Sequence, residues 1–311
     1  MLSKHFLVRR DRWAEHEIVT ADRVPLGSGA VELEIDRFGL TANNVTYAAL
    51  GDSFSYWRFF PRPEVGWGSI PVWGFGSVVR SQHEGVAVGE RFYGYFPMST
   101  HLVVYPRRLD DTGFLDGAEH RRPLSGAYNQ YQRTTRDPNY RADTEPQQVI
   151  LRPLFALSFF FTDFLDAEDF FGADQLLVSS ASSKSAYGTA FLLAQRRGRE
   201  LVGMTSRRNV DFVTHLGLYD RVLAYEDLAS LPAARKTTYI DFTGSPGLRA
   251  SVHRHFGDAL VHDSAIGATH SDALGRDEIA LPGPRPVVFF TPARVKQRAA
   301  EWTAPVLQQR L

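Results

Sequence analysis

A run of small and hydroxylated residues follows one short apolar segment in the second half of the sequence. Gln175–Ser179 has the composition of a buried strand, and Ser182, Ser183 and Lys184 come next, before a helical pattern begins. Backbone N–H groups at a helix N-terminus attract anions, and a lysine beside them adds positive charge. These residue types therefore suit a bound phosphate. An alternative of equal weight is a capping turn, in which a serine caps the helix and Lys184 is solvated.

The end of the next apolar segment carries Thr205, Ser206, Arg207 and Arg208. A site for NAD has a carboxylate at such a strand end, where it accepts hydrogen bonds from the ribose hydroxyls. Here a hydroxyl and a guanidinium replace the acid, and arginine pairs with phosphate through bidentate bonds. Ser206 and Arg207 therefore predict NADP(H) as the cofactor. The alternative is that these arginines are surface residues at the start of a helix.

The elements that must position these groups change character halfway along the chain. In the first half, Val31–Asp36 alternates apolar and polar residues, and 77–80, 91–96 and 101–105 are further β-prone runs. The polar stretch 106–148 is interpreted as a long loop.

In the second half, six apolar runs alternate with helical patterns, which predicts right-handed crossovers and a parallel sheet. The six predicted strands are 175–179, 201–204, 221–224, 237–242, 259–262 and 286–290. Six such strands match a complete Rossmann sheet, although another doubly wound domain is the alternative. Thr243 follows the fourth strand and Phe290 ends the sixth, and both join the predicted cofactor-binding residues.

Composition limits the class of protein. The 311 residues suit two domains, and 35 basic residues balance 35 acidic ones, so a general nucleic-acid-binding face is not expected. The absence of cysteine excludes disulfides and Cys-ligated zinc. The charged start is unlike a signal peptide, and no uninterrupted apolar run approaches a membrane span. We therefore expect a cytoplasmic protein with neither a nucleic-acid nor a membrane partner.

Several short motifs occur in a specific order. They are Phe38–Tyr47, Pro71–Val78, Val88–Gly94, Val202–Ser206 and Leu216–Val222. In this order they resemble the medium-chain dehydrogenase/reductases, specifically the zinc-free quinone-oxidoreductase branch. The closest likeness is to a divergent family of unassigned function on that scaffold.

The resemblance implies a domain division and a chemistry. It implies a β-rich GroES-like domain over 1–152, a Rossmann dinucleotide-binding domain over 153–292, and a C-terminal helix over 293–311 that packs back on the first domain. It also implies a homodimer and a small-molecule substrate. The family's zinc-binding branch uses Cys and a Gly-His-Glu segment, whereas Trp73–Gly76 supplies no ligand here, so no metal site is expected.

Without a metal, the cofactor would supply hydride, and side chains would orient the substrate and supply protons. Asn44, Tyr47 and Tyr56 lie where the resemblance places the substrate cleft, and we take them as the candidate catalytic residues. A tyrosine hydroxyl can donate to a carbonyl oxygen that gains charge as hydride arrives at carbon. The alternatives are core packing for the tyrosines and turn stabilisation for Asn44.

Two functions remain open at this point. The first is NADPH-dependent reduction of a small or mid-sized carbonyl, enone or quinone. The second is a redox-inactive member of the scaffold, acting as a lyase, an isomerase or a binding protein in a biosynthetic pathway. The missing Gly-x-Gly-x-x-Gly pattern favours the second, and Ser206 with Arg207 favours the first.

Overall fold

The computed structural model describes residues 2–196, 198–266 and 281–302, together with Val306 and Arg310. The chain divides into two compact units, Met1–Pro153 and Leu154–Leu311. The division falls within a long helix, one residue after the predicted domain boundary.

The first unit is built from antiparallel strands. Its strands are β1 (Leu2–Arg9), β2 (His16–Asp22), β3 (Val31–Gly39), β4 (Trp67–Gly68), β5 (Pro71–Ser81), β6 (Arg91–Pro97), β7 (His101–Val104), β8 (Pro106–Asp110), β9 (Gly113–Asp116) and β10 (Gln130–Arg133). They form a three-stranded sheet in the order β2-β1-β4 and a seven-stranded sheet in the order β7-β3-β5-β6-β10-β9-β8. Helix α1 (Ala42–Ala49) follows β3.

Alternation of side chains explains the position of β3. Val31, Leu33 and Ile35 are buried in the core of the sheet, whereas Glu34 on the opposite face is exposed. Glu32 is buried as well, because Arg23 and Arg80 donate hydrogen bonds to its carboxylate. The predicted strand is therefore confirmed. The alternating pattern predicts a solvated side chain at Glu32, which is instead buried.

The predicted loop over 106–148 is wrong, because this segment contributes β8, β9 and β10 to the seven-stranded sheet. Most side chains on these strands are polar, so the sequence gives no apolar alternation. Phe114 on β9 and Tyr131 on β10 are exceptions: both are buried in the core, and the Tyr131 hydroxyl donates to the backbone oxygen of Tyr95 at 2.7 Å. These two side chains are too few to form an apolar alternation, so backbone pairing mainly defines the strands.

Helix α2 (Glu145–Ala167) connects the two units and contains Pro153. With the turn before it, the helix over Ala142–Ala167 is long and apolar enough to cross a membrane by length and composition. The length and hydrophobicity of this helix differ from the expectation that no apolar run of the sequence approaches a membrane span. In the second unit, however, Phe161 and Leu165 are fully buried and Asp163 accepts from Arg294 and Arg298. We therefore interpret this part of α2 as a core helix.

The second unit is a parallel sheet with helices between its strands. Its elements are β11 (Gln175–Val178), α3 (Lys184–Leu193), β12 (Glu200–Thr205), α4 (Val210–His215), β13 (Arg221–Ala224), β14 (Thr237–Asp241), α5 (Pro246–Phe256), β15 (Leu260–Ala265), β16 (Val287–Val288) and α6 (Thr291–Glu301). The strand order is β13-β12-β11-β14-β15-β16, and every pair is parallel. Counted within the domain this is 3-2-1-4-5-6, the Rossmann order. The predicted fold class is confirmed.

The six predicted strands are all present, with ends shifted by up to a few residues. β11 is buried along its whole length, as expected for a central parallel strand. Ala186, Ala190 and Leu193 on α3 are buried against the sheet, as the helical pattern predicts. Helix α6 begins at Thr291 and forms ion pairs with Asp163 inside the second unit. Its predicted packing on the first domain stays a prediction.

Candidate functional site

The strand order reverses between β11 and β14, and the loops after these two strands diverge there. In open parallel sheets, ligands bind in the crevice outside the carboxyl ends of the strands at this reversal. Ser179–Ser183 follows β11 and Phe242–Ser245 follows β14. The predicted residues Ser182, Ser183 and Thr243 therefore lie on the two loops that border the crevice.

A buried hydrogen-bond cluster joins the two loops. Ser179 is fully buried, and its hydroxyl donates to Asp241 Oδ1 at 3.0 Å and accepts from the Phe242 N–H at 3.0 Å. Asp241 Oδ1 also accepts from the N–H groups of Thr243 and Gly244, at 2.9 and 3.1 Å. Sequence reasoning missed Ser179 and Asp241, because 62 residues separate them and only the parallel pairing of β11 with β14 brings them together.

The loop after β11 opens with an unusual backbone conformation. Ser180 has a φ of 52°, in the left-handed region where glycine is the ordinary residue. Its N–H donates to the hydroxyl of Tyr225 at 3.2 Å. The Tyr225 contact therefore supports the sharp turn that a glycine provides in the usual Gly-x-Gly-x-x-Gly loop.

The start of α3 combines capping with unpaired donors. Ser183 is the N-cap, and its hydroxyl accepts from the Ala186 N–H at 3.4 Å, so the capping alternative is correct for this residue. Ser182 Oγ accepts from Asn209 Nδ2 at 3.2 Å. Over the described residues, the N–H groups of Ser182, Lys184 and Ser185 have no hydrogen-bond partner. Three orphan donors beside an exposed lysine give this end of the helix the character of an anion site.

A cavity of about 330 Å³ opens beside the turn after β14. It is lined by Tyr225, Glu226, Thr243, Ser245, Gly247, Leu248 and Ser251. These residues come from the ends of β13 and β14 and from the first turns of α5. The combination of a phenol ring, an aliphatic side chain and several hydroxyls suits a flat heterocycle with polar edges.

Ser206 and Arg207 follow β12, at the neighbouring strand end. The Arg207 guanidinium donates to Asp227 at 3.0 Å, and its other terminal nitrogen lies 2.9 Å from the same carboxylate. Glu226 is 3.8 Å from this guanidinium. Sequence reasoning missed these acids, because Asp227 lies 20 residues further along the chain. A phosphate at Arg207 would have to compete with Asp227.

Two other residues have local roles that the structure makes plain. Phe290, one of the predicted cofactor-binding residues, is half-buried at the N-cap position of α6. Ser158 on α2 donates to the backbone oxygens of Leu154 and Ser185 at 3.1 and 3.0 Å. A Cβ at Gly188 would lie 2.9 Å from Ser158 Oγ, so glycine is needed there for α2 and α3 to approach closely.

Tyr47 and Tyr56 are brought together in an aromatic cluster of the first unit. Their ring centroids are 4.8 Å apart. Trp73 Nε1 donates to the Tyr47 hydroxyl at 3.1 Å, and the Tyr56 and Tyr128 hydroxyls are 3.2 Å apart. Burial raises the pKa of Tyr56, and the contact with Tyr128 offsets this only in part. Both tyrosines are therefore neutral hydroxyl groups that can donate a hydrogen bond.

Asn44 is used in a different way. Its Oδ1 accepts from the Thr41 N–H at 2.7 Å, which completes a capping box at the start of α1. Its Nδ2 donates to the backbone oxygen of Pro71 at 2.9 Å. The amide thus ties α1 to β5, which corresponds to the structural alternative weighed for this residue.

Among the residues that the structure describes, no group of three or more His, Asp or Glu side chains could hold a metal ion. The buried His253, for example, lies 2.9 Å from Asp263 Oδ2 and has only this one acid as a partner within the described part of the chain.

Solved structures share this architecture at low sequence identity. CurA from Vibrio vulnificus, solved in complex with NADPH, is 12% identical with a TM-score of 0.62, over 99% of this chain and 89% of that one. The quinone oxidoreductase from Coxiella burnetii is 11% identical with a TM-score of 0.51, over 97% and 88%. The CurK enoyl reductase is 14% identical with a TM-score of 0.53, over 99% and 89%. These likenesses show the fold that the resemblance to the medium-chain dehydrogenase/reductases predicts.

No curated relative matches the sequence. Residues 38–311, most of the chain, match the family described as "Protein of unknown function (DUF2855)". This agrees with the predicted likeness to a divergent family of unassigned function. The chain therefore belongs to the DUF2855 family.

Proposed function

We propose that the protein is an NADPH-dependent, metal-independent oxidoreductase that reduces a small or mid-sized carbonyl, enone or quinone. One observation carries the proposal: three unpaired N–H groups and Lys184 gather at the start of α3, on the crevice of a Rossmann sheet. The orphan donors match the needs of a pyrophosphate, which is the anion that Rossmann domains bind at this position.

The residues around the crevice fit the rest of the dinucleotide. The cavity beside Tyr225, Thr243 and Leu248 is wide enough for an adenine ring. Ser206 and Arg207, at the adjacent strand end, offer a hydroxyl and a guanidinium for a 2′-phosphate. Proteins of similar fold include CurA, which was solved with NADPH, and the CurK enoyl reductase, and both support this choice of cofactor and chemistry.

When bound, NADPH supplies the hydride. In the proposed reaction, Tyr47 or Tyr56 donates a hydrogen bond to the substrate oxygen as negative charge develops on it. Because both phenols are buried and neutral, each keeps a proton available for this purpose. Asn44 supports them indirectly by holding α1, which carries Tyr47, against β5.

Binding and turnover test the proposal separately. Isothermal titration with NADPH and NADH should show binding, with preference for NADPH. Loss of NADPH absorbance with a panel of quinones, enones and aldehydes should then reveal reduction. Tyr56→Phe should lower the rate of reduction and leave NADPH binding unchanged. A protein that binds neither nucleotide would refute the proposal.

The second candidate, a redox-inactive protein on this scaffold, is favoured by a different observation. Arg207 is already paired with Asp227, and the Ser182 hydroxyl already contacts Thr205 and Asn209, so part of the predicted site is satisfied without a ligand. This candidate predicts no consumption of NADPH with any acceptor in the panel. NADPH binding without turnover would favour it.

A further inference from the structure

A buried ionic network lies directly behind the turn that follows β14. Arg249 on α5 donates to Asp241 Oδ2 at 2.5 Å, and its Nε lies 3.3 Å from Asp263 Oδ2. His253, one turn further along α5, places Nε2 2.9 Å from the same oxygen of Asp263. Asp241, Asp263 and His253 are fully buried. Four ionisable groups thus share one enclosed site, which is costly unless their charges balance.

The geometry places one proton between His253 and Asp263. His253 Nδ1 lies 2.7 Å from the backbone oxygen of Pro282, which can only accept a hydrogen bond. Nδ1 therefore carries a proton. Nε2 faces a carboxylate oxygen, so a second proton must lie between Nε2 and Asp263 for that contact to be a hydrogen bond. With this proton, the two negative charges of Asp241 and Asp263 are balanced by Arg249 and by the proton that His253 and Asp263 share.

The network reaches the crevice through Asp241. While Oδ2 of Asp241 binds Arg249, its Oδ1 accepts from Ser179 Oγ and from the N–H groups of Thr243 and Gly244. The orientation of this one carboxylate therefore sets the shape of the turn, and Thr243 in that turn lines the cavity.

We propose that Arg249, His253 and Asp263 are positioning residues for the dinucleotide. Because His253 and Asp263 share a proton, Arg249 can pair with Asp241 rather than with Asp263. Asp241 then holds the turn after β14 in the conformation that binds the dinucleotide. The inference rests on the proposed function, because it assumes that the cofactor occupies this crevice. When the shared proton is lost, Asp263 has no cation other than Arg249 among the described residues and competes for it with Asp241.

Within the part of the chain that the structure describes, the other titratable groups around the network do not replace that proton. Burial raises the pKa of Asp263, and the charge of Asp241 adds to the rise, against the lowering by His253 and Arg249. Tyr225 and Tyr239 face Asp241, and burial raises the pKa of each, so both stay neutral. The balance of charge therefore depends on the His253–Asp263 pair.

The test is the pH dependence of NADPH affinity, measured by titration from neutral pH up to the highest pH at which the protein stays folded. The wild-type protein should bind NADPH roughly tenfold more weakly once the shared proton is lost, since the turn loses a charge-assisted contact. Asp263→Asn should bind with nearly constant affinity, because an asparagine amide can donate to Nε2 of His253 and cannot compete for Arg249. Any titration of the ligand's own phosphate is common to both proteins and cancels in the comparison.

His262→Asn is the matched control. His262 is a buried histidine on the same strand, but it contacts Ser264 and lies outside the network. Burial lowers the pKa of His262 to about 4, so it stays neutral over the range and this variant should follow the wild type. A flat wild-type profile, or an unchanged slope in Asp263→Asn, would overturn the proposal.

A separate measurement distinguishes failure of the proposed function from failure of this inference. Absence of NADPH binding by the wild type at every pH would refute the function and, with it, the positioning role. Nuclear magnetic resonance of His253 and of the Asp263 carboxyl carbon then still shows whether the two side chains share a proton. At neutral pH, either both His253 nitrogens or the Asp263 carboxyl should be protonated. Finding neither would show that the network holds no such proton.

Discussion

Replacing Asp227 by asparagine should raise the affinity for NADPH and leave that for NADH unchanged. Asp227 holds the Arg207 guanidinium at 2.9 to 3.0 Å, and Glu226 lies 3.8 Å from it. A 2′-phosphate bound by Arg207 has to displace Asp227 and then lies beside two carboxylates. Asparagine keeps the size of the side chain and removes one of these charges.

The exposure of the pair sets the size of the effect. The Arg207 side chain is 65% exposed and that of Asp227 is 42% exposed, so water and salt screen their attraction. Because exposed ion pairs are weak, releasing Arg207 from Asp227 should raise the affinity for NADPH by only about two- to fivefold. Arg207→Ala removes the phosphate contact itself and should lower the affinity for NADPH by roughly tenfold or more.

Titrations of both nucleotides against the wild type, each single variant and the double variant form a cycle that isolates this effect. The gain from Asp227→Asn should disappear when Arg207 is alanine, and it should shrink in high salt. An equal gain for NADH would refute the reasoning, as would a gain that persists without Arg207.

Four further outcomes are expected. Lys184→Ala should weaken NADP(H) binding, less so at high salt, with almost no change in thermal stability because Lys184 is exposed. Glu32→Gln should destabilise the protein at neutral pH but much less below pH 2 in urea unfolding. Burial raises the pKa of Glu32, but hydrogen bonds from Arg23 and Arg80 lower it overall to about 2. The stabilisation is therefore complete above the ordinary carboxyl pKa and is lost as pH falls through the folded-state pKa of about 2. Asn44→Ala should cost about 1–2 kcal/mol of unfolding free energy through loss of the cap; an unchanged stability would contradict the capping role. Elemental analysis should find no stoichiometric zinc, and one zinc per chain would overturn the metal-free assignment.

The parallel sheet could be predicted because its strands are buried on both faces. A run such as Leu176–Val178 is apolar at every position. The turn-forming residues between such runs mark where the helical connections begin and end. Strands β8 and β10 could not be predicted in this way. Pro106–Asp110 and Gln130–Arg133 are rich in polar side chains and join the sheet through backbone hydrogen bonds.

The candidate site could be predicted only where function depends on local residue type. The proposed anion site at the start of α3 follows from the hydroxyls and Lys184 after a buried strand, which are neighbours in sequence. The partners of those residues are set by the sheet, and the sheet pairs residues far apart in the chain. Asp227 beside Arg207 and Asp241 beside Ser179 are therefore visible only in the folded protein.

The serine with left-handed backbone at the end of β11 has a consequence for how the family can change over evolutionary time. Ser180 holds this conformation at some cost in free energy, and the Tyr225 hydroxyl is its hydrogen-bond partner. Loss of the phenol should therefore be tolerated best in descendants that have acquired glycine at position 180. The two positions, 45 residues apart, should thus co-vary across the family. Glycine-free loops of this kind would also escape searches that define dinucleotide sites by glycine spacing alone.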